Sequence, residues 1–136
     1  MSEDRPFLDT NVLVYAYSRN ASKMHEVGAR LLESDSFCIS TQVINEFIWV
    51  MARKAKVPIE DITTIVRNLY LKVPVIETGM AVILKSLGIS AKYGFAHWDS
   101  LIISAALVAG CPILYSEDMQ DGQTIEGLQI VNPFKD

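Results

Sequence analysis

The sequence predicts an α/β protein, a three-layer α/β/α sandwich around a central, mainly parallel five-stranded sheet. Two observations carry this. Short apolar runs alternate with stretches of helical periodicity along the chain, and such repetition favours parallel strands with helices on both faces. Half of the 136 residues are hydrophobic and 21% are charged, enough apolar material for a buried sheet and its covering helices.

In chain order, Pro6–Leu8 is the first strand. Glu26–Glu33 places Val27, Arg30–Leu31 and Ser34 at helical spacing. Phe37–Ile39 is the second strand, followed by a helix over Val43–Lys54 with Phe47, Val50 and Met51 on one side. Pro58 opens a helix over Ile59–Leu71, where Ile59, Ile62, Val66 and Leu69 recur at the period of a helix face. Val73–Ile76 is the third strand. Thr78 is the expected N-cap of Met80–Lys92, whose Met80, Ile83, Leu84 and Leu87 form a similar stripe. Leu101–Ala109 is apolar nearly all round, as a central buried helix would be. Ile113–Tyr115 and Gln129–Val131 complete the five strands. Gly110–Cys111–Pro112 ends a helix and Gln120–Asp121–Gly122 marks a loop. No linker, repeat or low-complexity tract divides the chain, so residues 1–136 read as a single domain.

The totals also exclude. No apolar run is long enough to span a membrane. The opening MSEDRP lacks the basic and apolar segments of a secretory signal, so a cytoplasmic location is expected. Cys38 and Cys111 sit in apolar, strand-like contexts and read as buried free thiols, with a disulfide or metal pair as the lesser alternative. The net charge of −4 argues against a broadly basic nucleic-acid-binding surface but not against a local patch.

The acids are more informative. Open parallel sheets bind ligands beyond the carboxyl ends of their strands. Asp9 immediately follows the first strand, and Asp118 follows "PILYSE" just past another. Asp99 precedes the apolar helix "SLIISAALVAG", and Glu46 lies in the first turns of the helix after "FCIS". Helices that follow strands begin at that same edge, so all four can converge there. Taken singly, each has a plainer reading. Asp99 suits an N-cap, Asp118 an Asx-turn, and Asp9 a cap for a helix starting near Asn11. Glu46, among Ile44, Phe47 and Ile48, is the hardest to explain without a partner.

Clustered carboxylates repel, and a divalent cation removes the conflict. All-oxygen ligation suits one or two Mg²⁺ or Mn²⁺ ions, whereas His25 and His97 lack zinc-like spacing. Such an ion activates water and neutralises a phosphodiester under attack. No Ser-His-Asp order, phosphate loop or dinucleotide fingerprint competes with this reading. A phosphatase with a nucleophilic strand-end Asp would need a second Asp at the position of Asn11. A receiver domain would need paired early acids and a late Lys.

Four segments, "FLDTNVLVYA", "STQVINEFIWV", "HWDSLIISAALVAGC" and "LYSEDMQDGQTIEGLQIVNPF", resemble the PIN-domain nucleases. More narrowly they resemble the VapC-type toxins of type II toxin–antitoxin systems, over Pro6 to Phe134 and in family order. The resemblance implies a metal-dependent endoribonuclease whose metal site is Asp9, Glu46, Asp99 and Asp118. It places Thr10 and Asn11 at small polar positions beside Asp9, and Ser116 at a hydroxyl position that orders the acids. The last acid is Asp118, with Asp121 in support, and Glu117 is expected to point into solvent. The implied partners are an RNA substrate such as tRNA or rRNA, a cognate antitoxin, and a second copy in a homodimer. The helices Met24–Glu33 and Ile59–Leu71, with Tyr70, are candidate contact surfaces. Arg53, seven residues after Glu46, and Trp49 between them share its helix face and are candidates to grip a phosphate and stack a base. Alternatively, Arg53 complements the helix end and Trp49 is core. The competing functional readings are a PIN-like module that binds RNA or a partner without cutting, and a PIN nuclease of general RNA processing.

Overall fold

The computed structural model describes residues 5–19, 22–34 and 36–135; most of the opening MSEDRP read above, Met1–Asp4, lies outside them. The elements are β1 (Phe7–Leu8), α1 (Thr10–Ala16), α2 (Lys23–Glu33), β2 (Ile39–Ser40), α3 (Thr41–Arg53), α4 (Ile59–Lys72), β3 (Val75–Ile76), α5 (Met80–Tyr93), α6 (His97–Val108), β4 (Ile113–Tyr115), β5 (Thr124–Ile125) and β6 (Leu128–Val131).

β1 pairs in parallel with β4, and β4 with β6, so that Phe7 lies beside Leu114 and Leu114 beside Ile130. β2 and β3 form a second parallel pair with Ile39 opposite Val75. The two sheets meet at a parallel bridge between Phe7 and Cys38, where Cys38 N–H donates to the Pro6 carbonyl at 2.8 Å and Leu8 N–H to the Cys38 carbonyl at 3.0 Å. The resulting order, β3-β2-β1-β4-β6, consists of the five expected strands, all parallel. A sixth strand corrects the count: β5 adds antiparallel to the outer edge of β6. Its hairpin turns on Glu126 and Gly127, both at positive φ (51° and 91°), the left-handed pair that a two-residue hairpin loop requires. A glutamate there gives no sequence signal of a turn.

The core lies on both faces of the sheet. Phe7, Phe37, Phe47, Leu114 and Ile130 are fully buried, and Leu101 through Ala106 bury the whole middle of α6. Cys38 and Cys111 are buried and free. Among the described residues no helix is long and apolar enough to cross a membrane.

Two expectations about helices are corrected. Gly79, not Thr78, is the N-cap of α5; Thr78 N–H instead donates to Thr41 Oγ1 at 2.9 Å, tying the loop to α3. The α5 stripe is largely turned outward: Met80, Leu84 and Leu87 are exposed, Ile83 is half-buried against the core, and Val82, Ser86 and Ile89 are buried. α5 packs on α6, where Ser90 Oγ meets Ser100 Oγ at 2.7 Å. On α4, Ile62 and Leu69 are buried while Ile59 is exposed.

α2 approaches α1 closely at Gly28. A Cβ there would stand 2.8 Å from Ala16 N and 3.1 Å from the Val12 carbonyl oxygen, both backbone atoms of α1. Gly28→Ala is therefore expected to destabilise the fold, because overpacking of about 1–3 kcal/mol opposes a helix-propensity gain of at most about 1 kcal/mol. A lowered urea midpoint with unchanged slope is the readout.

Candidate active site

The chain leaves β1 at Leu8 and turns directly into α1, with Asp9 as its N-cap. Asp9 Oδ1 accepts from Thr10 N–H at 2.7 Å. Its Oδ2 accepts from Ser116 Oγ at 2.8 Å, and Ser116 immediately follows β4, the parallel neighbour of β1. The Asp9 N–H donates to the Tyr115 carbonyl at 3.0 Å, so the residue is held by sheet and side chain together. Only 9% of it is exposed.

The next two residues reach the next two acids. Thr10 Oγ1 donates to Glu46 Oε1 at 2.5 Å, and Asn11 Nδ2 donates to Asp118 Oδ2 at 2.9 Å. Glu46 rides on α3, which starts at the carboxyl end of β2 with Ser40 as its cap; Ser40 Oγ accepts from Val43 N–H at 3.2 Å. Gln42, one turn before Glu46, donates from Nε2 to Glu46 Oε2 at 3.4 Å and to the Trp98 carbonyl at 3.3 Å, joining α3 to the start of α6. Asp99 lies in the first turn of α6 but is not its cap, a place taken by Ala96. The helix begins at His97 rather than Leu101, so the capping alternative for Asp99 falls away.

Asp9, Glu46, Asp99 and Asp118 line one open cavity of about 340 Å³, together with Thr10, Asn11, Gln42, Trp49 and Trp98; among the described residues no Lys, Arg or His belongs to that lining. Burial pushes the Asp9 carboxyl up to about 6; the charges of Glu46 and Asp118 add to this, and the Ser116 and Thr10 hydrogen bonds oppose it. Burial also raises Asp99, with Asp118 and Glu46 acting in the same direction. An all-oxygen donor set under mutual repulsion is chemically suited to a hard divalent cation. Among the described residues no three acids are grouped tightly enough to ligate one ion directly. Mg²⁺ characteristically keeps several waters and uses one or two carboxylates, so the donor set still fits it.

Other residues fall elsewhere. Asp121 accepts from Asn132 N–H at 2.8 Å and pairs with Lys135 at 3.7 Å, so it serves the C-terminal segment and not the cavity. Glu117, expected in solvent, is half-buried and accepts from Tyr15 Oη at 3.2 Å. Trp49 lines the cavity and is exposed, which overturns its core alternative. Arg53 is set back from the lining, with its guanidinium 5.6 Å from the centre of the Trp49 ring. The sequence reading overlooked Gln42 and Trp98. One helical turn separates Gln42 from Glu46, and Trp98 adjoins Asp99, so both signals were available.

The family model for the PIN domain matches residues 7–120. The chain belongs to the PIN domain family. Solved PIN-fold relatives agree along nearly the whole chain. A toxin–antitoxin complex from Klebsiella pneumoniae superposes with a TM-score of 0.70 at 20% identity, covering 94% of this chain and 97% of that one. DNA-bound VapBC from Salmonella typhimurium gives 0.67 at 17% identity, covering 93% and 96%. VapC20 from Mycobacterium tuberculosis, described as a sarcin-ricin loop cleaving toxin, gives 0.66 at 14% identity, covering 83% and 89%. At these identities the likeness shows the PIN fold. No curated relative matches by sequence.

The raised Asp9 carboxyl has a consequence for the stability of this PIN domain. Between its ordinary value of 3.8 and about 6, the folded chain keeps a proton that the unfolded chain has released. Folding stability therefore falls as pH rises through that window and stays lower above it, by up to about 3 kcal/mol. Asp9→Asn preserves both contacts, accepting from Thr10 and donating to Ser116, without the charge. In EDTA the variant is expected to melt above wild type near about pH 8, with the gap closing toward about pH 4. Thermal melts across pH provide the check.

Proposed function

We propose that this chain is a metal-dependent endoribonuclease, the toxin of a type II toxin–antitoxin pair, acting as one domain in the cytoplasm. The observation that carries the reading is the meeting of four acids from four chain segments in one cavity whose lining, among the described residues, holds no cationic side chain. The PIN family match supports it. So do structural relatives described as a toxin–antitoxin complex and as a toxin that cleaves the sarcin-ricin loop. Two buried free thiols suit a reducing compartment.

Asp9, Glu46, Asp99 and Asp118 would hold one or two Mg²⁺ or Mn²⁺ ions, partly through waters. When bound, the cation supplies an activated water and neutralises charge building on the phosphodiester. The protein's own part is positioning. Ser116 and Thr10 N–H aim Asp9 by occupying one lone pair on each oxygen. Thr10 and Gln42 orient Glu46, and Asn11 turns one oxygen of Asp118, leaving the other for the cation. A cognate antitoxin and a second copy of the chain are the proposed protein partners, and a tRNA or rRNA segment the substrate. The exposed Ile59, Tyr70 and Leu71 of α4 and the exposed Met80, Leu84 and Leu87 of α5 offer apolar surface for the protein partners.

Purified protein freed of any antitoxin, incubated with mixed tRNA and rRNA, should cut only when Mg²⁺ or Mn²⁺ is present. Asp9→Asn and Asp99→Asn should each lose at least about 100-fold in rate, or about 2.7 kcal/mol, while Ser116→Ala should lose about 10–100-fold. Undiminished cutting by both Asn variants, or no metal-dependent cutting by wild type, would overturn the proposal.

A further inference from the structure

The cavity has a feature that its carboxylates do not explain. The chain contains two tryptophans, Trp49 and Trp98; both line this cavity, and both are more than half exposed, at 55% and 64%. Both are braced. The Arg53 guanidinium stands over Trp49, the His97 ring meets Trp98 edge-on at 5.0 Å, and Gln42 donates to the Trp98 carbonyl. Trp98 also lines an adjoining hollow of about 480 Å³, where Asn45 is exposed and, among the described residues, Glu46 is the sole charged one of the lining.

Trp49 and the Gln42 that bonds the Trp98 carbonyl stand on either side of Glu46 on α3. The two lie seven residues apart, roughly 10 Å along the axis. Phosphate attraction, which supplies most nucleic-acid affinity, is weak at a cleft lined by four acids in a chain of net charge −4. Stacking on an indole face needs no such attraction and accepts any base, provided the base is not already stacked in a helix.

We propose that Trp98 and Trp49 are stacking platforms for two nucleobases flanking the phosphodiester at the acids. The base on Trp98 occupies the adjoining hollow, where the Asn45 amide can both donate to and accept from its edge. This deepens the ribonuclease reading and rests on it for the class of substrate.

The test uses Trp49→Phe and Trp98→Phe in the Asp9→Asn background, so that each protein keeps one indole reporter. Titration with a short unstructured oligoribonucleotide in Mg²⁺ should quench both reporters, and the same strand in duplex should quench neither. In the otherwise wild-type chain, Trp98→Ala should raise KM for the single strand about ten-fold with Mg²⁺ dependence unchanged, while Trp98→Phe stays close to wild type. Equal quenching by duplex, no quenching of either reporter, or an unchanged KM in Trp98→Ala would overturn the stacking proposal even if wild type cuts RNA. Selective quenching in a protein whose wild type never cuts would leave stacking standing and remove the nuclease.

Discussion

Much of this structure is organised around the burial of one carboxylate. Asp9 sits where β1 meets α1, closed in by the sheet, and its two oxygens are held by Thr10 N–H and Ser116 Oγ. Those bonds offset only part of the desolvation, which is why its proton is held to about 6. The surrounding core has to supply the difference. Phe7, Leu8, Val12 and Leu13, on both sides of Asp9, are buried to 1% exposure or less. The apolar flanks and the acid are thus one device, in which packing energy keeps a charge at the working edge of the sheet.

The arrangement of the acids spreads outward from that point. Three consecutive residues each serve a different acid: Asp9 is one, Thr10 donates to Glu46, and Asn11 donates to Asp118. A single turn after β1 therefore spaces acids carried by α3 and by the loop after β4. Gln42 extends the network from Glu46 to the Trp98 carbonyl, and so to the helix that bears Asp99. Repulsion among the carboxylates is absorbed by neutral donors rather than by lysine or arginine, which leaves oxygen lone pairs free for a hard cation.

How legible each element was depends on where its signal resides. The five parallel strands and the central helix α6 follow from local apolar pattern and appear in the expected order, with α6 starting four residues early at His97 and β2 shifted to Ile39–Ser40. The sixth strand was silent because its turn relies on a glutamate in left-handed conformation. The stripe on α5 misled because apolarity marks a face without saying what covers it. The face that is buried carries Val82, Ser86 and Ile89 instead. Asp99 read as a cap because the first turn of α6, from His97, carries little helical pattern of its own.

The sequence by itself determined the layered α/β class and the placement of acids at strand ends and helix starts, since these depend on residue type and local spacing. Only the tertiary structure decided that Asp118 rather than Asp121 joins the cavity, that Glu117 turns inward to Tyr15, and that Gln42 and Trp98 belong at the site. The physical reason is contact range. The bonds that settle these matters join residues 107, 102 and 56 positions apart, and strand order and side-chain packing set them, beyond the reach of any local pattern.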